Sequence, residues 1–89
     1  MKAVITVTGK DSVGIIAEVA TVCAEYNVNI LDVTQSIIQD YFAMIMLADI
    51  DKLSIAFSEF SDNLHALGQK KHLEINSMHE DIFNTMHKI

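Results

Sequence analysis

The period of the hydrophobic pattern changes repeatedly along this chain, from two to about 3.6 residues and back, and that alternation restricts the fold more than any single motif. Lys2 to Thr8 alternates, with Ala3, Ile5 and Val7 on one face and Val4, Thr6 and Thr8 on the other. Together with its β-branched content this predicts a strand ended by Gly9. From Ile15 to Tyr26 the residues Ile15, Ile16, Val19, Val22, Cys23 and Tyr26 recur at intervals of three and four, which predicts an amphipathic helix closed near Asn27. Val28 to Ile38 reads as a second strand, with Asp32, Thr34 and Ser36 on its exposed face and Leu31, Val33 and Ile37 on the other. Gln39-Asp40 then turns into Tyr41 to Ala48, apolar on both faces as in a central strand covered on both sides. Asp51 is the expected N-cap of a second helix whose stripe is Leu53, Phe57, Phe60, Leu64 and Leu67, with Gly68 and Lys70-Lys71 as C-terminal signals. His72 to Ser77 is expected as a short fourth strand with Leu73 and Ile75 inward. Ser77-Met78-His79-Glu80 has the form of a capping box ahead of a terminal helix with Ile82, Phe83, Met86 and Ile89 on one face.

Right-handed crossovers and non-crossing connections turn this order into an α+β, ferredoxin-like βαββαβ fold. It is a four-stranded antiparallel sheet with two helices on one face and a short C-terminal helix added. Eighty-nine residues provide one core and not two, so residues 1–78 are expected as one domain and 79–89 as a helical extension. The third strand poses a problem for the uncovered face. Either Ile45 and Leu47 or Met44 and Met46 point to water there, unless the terminal helix or a second copy covers them.

Composition removes several function classes. Six lysines, no arginine and twelve carboxylates give a net charge of −6, the wrong sign for neutralising phosphates, so nucleic acid is not an expected partner. The single cysteine cannot form an internal disulfide, and Lys2 is followed by an alternating stretch and not by a signal-like apolar block. The expected location is the cytoplasm. The longest apolar run, Tyr41 to Ala48, is far short of the roughly 20 residues a spanning helix needs, and Lys2 stands where N-myristoylation requires glycine. No membrane partner is expected. The four histidines His65, His72, His79 and His87 show no i,i+4 pair, so no metal site is expected, and Cys23 within the helical stripe reads as a buried thiol. Phe57 and Phe60 read as core, whereas Met44 and Met46 suit either a core or a contact surface.

The loop after the first strand is Gly9-Lys10-Asp11-Ser12-Val13-Gly14. It has no thiolate pair for a soft metal and no arginine fork for a phosphate. Gly9, Asp11, Gly14 and Ile15, followed one helix later by Val28-Asn29-Ile30 and then by a mostly apolar third strand, resemble the ACT domain family of small-ligand regulatory modules. The resemblance covers residues 2 to about 78 and is nearest to small single-domain ACT proteins and the halves of glycine-cleavage-system regulators. It implies Asp11, Gly14 and Asn29 as ligand contacts at a dimer interface, within a ligand-binding set of Gly9, Asp11, Ser12, Val13, Gly14, Ile15 and Asn29. Asp11 stands where some amino-acid binders carry asparagine, which leaves the ligand type open.

The residues themselves are compatible with that role. Gly9 permits a tight or positive-φ turn, and Gly14 lets backbone approach closely at the positive end of the first helix, where a carboxylate can be held. Asp11 can hold an ammonium, and Asn29 offers donors and an acceptor. A purely structural role is also open to each: Asp11 or Ser12 as helix cap, the glycines as geometry, Asn29 as a backbone partner. Without a paired carboxylate, a nucleophile with histidine or a phosphate loop, no catalytic residue and no cofactor is expected. The expected function is a non-enzymatic module that binds a small ligand, in particular an amino acid, in a homodimer and signals to a protein partner. A dimeric interaction adaptor without a working ligand site is the alternative. A small enzyme using Asp11 as acid or base lacks a partner residue and an apolar pocket signal.

Overall fold

The computed structural model describes residues 1–10 and 13–86. Its elements are β1 (Lys2–Gly9), α1 (Ile15–Glu25), β2 (Asn29–Ile38), β3 (Tyr41–Asp49), α2 (Phe57–Lys71), β4 (Glu74–His79) and α3 (Glu80–Met86). The strands form one antiparallel sheet in the order β2-β3-β1-β4. This is the ferredoxin-like arrangement that the order of elements predicts, with α3 added at its end. Among the described residues no helix is long and apolar enough to cross a membrane.

The register explains the core. Ala3 lies across from Ala48 and His79, Ile5 from Met46 and Ser77, and Val7 from Met44 and Ile75, so these side chains share one face. Ala3, Ile5, Val7, Phe42, Met44, Met46, Ala48 and Ile75 are all buried there, in one cluster with Ile15, Val19 and Cys23 of α1 and Phe60 and Leu64 of α2. Met44 and Met46 are therefore core. Tyr26 meets the Phe60 ring edge-on at 6.4 Å and accepts a 3.2 Å hydrogen bond from Asn63, joining the two helices at their shared seam.

The opposite face departs from the expected double cover. β3 alternates strictly between buried and accessible residues, leaving Ile45 46% exposed and Tyr41 58% exposed. The reason is that α1 and α2 both lie on the other side. α3 lies against β1 and β4, and Ile45 stays half-exposed.

Both long helices end by the same device. Asn27 after α1 and His72 after α2 take left-handed φ values of 61° and 59°. The following amides, Val28 and Leu73, each donate at 2.8 Å to a carbonyl five residues back, on Cys23 and Gly68. Asn27 and His72 also donate to Ala24 and Gln69, which completes a Schellman turn in each case. Val28 and Leu73 then enter the core as the hydrophobic residues that accompany such turns.

α2 ends with Lys70-Lys71 in its last turn, and Gly68, inside that helix, is where the Leu73 carbonyl and Ile75 approach closely. Several local expectations are corrected. Asp51 does not cap α2, whose N-cap is Ala56. Its carboxylate instead pairs with the Met1 ammonium, and its amide donates to Asp49 at 2.9 Å. Leu53 and Ile55 pack half-buried in the loop that leads to the helix. Ser77 lies inside β4, which continues through His79, so Ser77 is not the N-cap of the terminal helix. Strand pairing with Ala3, Val4 and Ile5 has taken Ser77, Met78 and His79 away from the capping box.

A Cβ on Gly68 would stand 2.7 Å from the Leu73 carbonyl oxygen and 3.0 Å from Ile75 Cγ1. Gly68→Ala would gain about 1 kcal/mol in helix propensity. Overpacking against strand backbone costs about 1–3 kcal/mol. The variant is expected to be less stable than the wild type, read as a lower urea midpoint. A higher midpoint would mean that β4 can retreat.

Candidate functional site

The loop between β1 and α1 is set by two glycines whose roles are the reverse of those expected. Gly9 does not take positive φ; it is the last residue of β1, and a Cβ there would run into the Leu73 side chain. Gly14 takes φ 75° in open space and is the N-cap of α1. The left-handed turn is thus what Gly14 provides, and close approach is what Gly9 provides. Gly14 has no side chain with which to cap, and the first intrahelical bond runs from the Glu18 amide to its carbonyl at 3.1 Å. The amides of Ile15, Ile16 and Ala17 come before that bond, at the positive end of the helix.

Asp11 and Ser12 lie outside the described residues. Val13 is 88% exposed, while the Ile15 side chain is in the core, so Ile15 has only its backbone to present. Beside the loop is a cavity of about 530 Å³ lined by Lys10, Val13, Ile37, Gln39, Asp40, Tyr41 and Phe42. The Lys10 ammonium stands 5.5 Å from the centroid of the Tyr41 ring, within reach of a cation–π attraction.

Asn29 is elsewhere. It pairs with Asp49, which pairs with Lys2, whereas Gly9 pairs with Phe42 and Phe42 with Ile37. The loop and Asn29 therefore sit at opposite ends of the sheet, separated by the length of β1, roughly 23 Å at the usual strand rise. Around Asn29 is a second cavity of about 310 Å³, lined also by Asn27, Asp49, Asp51 and Lys52. Among the described residues, one chain does not bring Asn29 together with Gly9, Val13, Gly14 and Ile15.

Sequence reasoning missed Lys10, Ile37 and Tyr41. The signal was available in the two-residue turn at Gln39-Asp40, where Gln39 adopts φ 55° without glycine. A hairpin pivoting there must return Ile37 and Phe42 to the end of β1. Among the described residues no group of three His, Cys, Asp or Glu is placed to hold a metal. His65 pairs with Asn76 at 3.1 Å, and His79 stacks on Phe57 with ring centroids 4.4 Å apart.

Residues 2–77 match the model of the ACT domain. The chain belongs to the ACT domain family. ACT domains are a regulatory domain type in which ligand binding is typical. This ACT domain is 45% identical over 89 residues to a UPF0237 protein of Listeria innocua, covering both chains completely. Among solved structures it is similar to an ACT domain protein from Streptococcus pneumoniae, with a TM-score of 0.81, 37% identity and 93% of each chain covered. It is also similar to part of a putative glycine cleavage system transcriptional repressor, with a TM-score of 0.70 and 25% identity over 86% of this chain and 44% of that one. The helix α3 lies beyond the matched residues.

Inside the ACT domain, Cys23 is 1% exposed and burial pushes its thiol from 9.0 up to about 11. The raised value favours the protonated native state, so its contribution to stability is present below pH 9 and is lost as pH rises towards about 11. At pH 8 iodoacetamide is expected to modify Cys23 only at the rate of unfolding, and denaturant should release it at once. Rapid labelling of the native protein would contradict this placement.

Proposed function

We propose that this ACT domain is a non-enzymatic regulatory module that binds an amino acid between the two chains of a homodimer and passes its state to a protein partner. The observation that carries the reading is the separation of Asn29 from the β1–α1 loop. β2 is an edge strand of ten residues with Asp32 as its one charged side chain, and Leu31, Val33 and Ile37 are 45%, 36% and 71% exposed. Such an edge is a template for pairing with another strand. If two copies pair antiparallel along β2 about a two-fold axis through its centre, the partner's Asn29 comes across from Ile38, next to the cavity at the loop. Residues at opposite ends of the sheet in one chain then lie at the same end of the joined sheet. The loop end of α1 suits the carboxylate of an amino acid, Asp11 its ammonium, and Asn29 either group.

A dimeric adaptor without a ligand has one specific support. α3 keeps Ile82 51% and Met86 65% exposed, as a helix face awaiting a protein does. The two readings separate on ligand binding.

The test uses complementation on denatured and refolded protein. A ligand at about 100 times its dissociation constant adds about 2.7 kcal/mol of stability, visible as a melting shift for a small domain. Asp11→Ala and Asn29→Ala are each expected to abolish the shift given by the best amino acid of a full panel. Mixing the two variants should restore binding to about one site in four, because each mixed dimer has one site with both residues intact. No shift with any amino acid supports the adaptor. A shift that both variants retain places the site elsewhere.

A further inference from the structure

We infer that the cavity between the β1–α1 loop and the β2–β3 hairpin is the side-chain pocket of the ligand site and selects an amino acid with a large apolar or aromatic side chain. The inference rests on the reading that the loop holds an amino acid. Single exposed apolar residues are ordinary, but here three converge on one concavity: Val13 is 88% exposed, Ile37 71% and Tyr41 58%, over a floor formed by the buried Phe42. The volume of about 530 Å³ is far more than glycine or serine would fill. It falls within the range of about 300–1,000 Å³ common to small-ligand pockets.

The polar groups orient the ligand. Lys10 lines the cavity and is held over the Tyr41 ring at 5.5 Å, so its ammonium favours a carboxylate on that side. A side chain leaving the same carbon then points at Val13, Ile37 and Tyr41. An acidic side chain would gain Lys10 but meet Asp40 and leave the apolar wall in water, in a chain of net charge −6. An apolar side chain removes that wall from water and needs no further polar partner.

Isothermal titration of refolded protein with phenylalanine, leucine, glutamate and glycine tests the assignment, since a pocket discriminates even one methylene by about 10-fold or more. Phenylalanine or leucine is expected to bind at least about tenfold tighter than glycine or glutamate. Ile37→Ser and Tyr41→Ala should each reduce that ratio towards one, with circular dichroism unchanged. Tyr41 lies on β3, off the pairing edge, so its effect does not depend on the β2 contact. Glycine or glutamate binding as tightly as phenylalanine, or a ratio unmoved in both variants, overturns the pocket while amino-acid binding stands. Absence of binding by every member of a full amino-acid panel overturns both.

Discussion

Leu73 is the residue on which the fold closes. Only His72 and Leu73 separate α2 from β4, and in that space the chain must reverse from a helix axis to a strand lying beside β1. The left-handed turn at His72 and the 2.8 Å bond from the Leu73 amide to the Gly68 carbonyl accomplish the reversal. Leu73 then occupies space that two absent Cβ atoms leave free, one on Gly9 and one on Gly68. The notch at Gly68 faces the Leu73 backbone, which in a close-packed interior cannot retreat cheaply. Since Gly9 is also where β1 passes into the loop, the contact that seats β4 fixes the origin of the candidate site.

That site is divided by the geometry of the sheet. β1 runs the whole distance between the loop end, where Gly9, Phe42 and Ile37 align, and the far end, where Lys2, Asp49 and Asn29 align. A small ligand cannot bridge roughly 23 Å. The two cavities are separate: one is lined by Val13, Ile37, Tyr41 and Phe42 together with Lys10, Gln39 and Asp40, the other by Asn27, Asn29, Asp49, Asp51 and Lys52. What they share is proximity to the ends of β2, which among the described residues is an edge strand of the sheet.

How much of this was legible in the sequence depended on whether the deciding force was local. The order of elements and the core followed from periodicity, because Ala3, Ile5, Val7, Val19, Cys23, Phe60 and Leu64 lie on the faces their spacing assigns. Helix ends were less legible. Asn27 is a common residue for a left-handed turn and marked the end of α1, whereas His72 is not, and the end of α2 was signalled only by Gly68 and by Lys70-Lys71 in its last turn. Asp51 and Ser77 have the residue types of caps, yet Asp51 is taken by the Met1 ammonium and Ser77 by strand pairing. Gly9 and Gly14 stood out as a pair, but which one needed positive φ and which needed room depended on Leu73, sixty-odd residues away in sequence. Local chemistry names candidates, and tertiary competition assigns them.

In the proposed dimer, dividing the site between chains is what gives ligand binding a consequence. A ligand contacting only one chain would bind the monomer and the dimer alike and shift neither. A ligand held between the loop of one chain and the partner's Asn29 binds only the associated state, so it stabilises association by RT ln(1 + [L]/Kd). By reciprocity, association strengthens ligand binding by the same factor. The exposed Leu31, Val33 and Ile37 then serve both equilibria, since the apolar edge that favours pairing also places Ile37 in the wall of the cavity. The free energy of association and that of ligand recognition are therefore drawn from one strand, and a change in β2 that weakens pairing must weaken recognition with it.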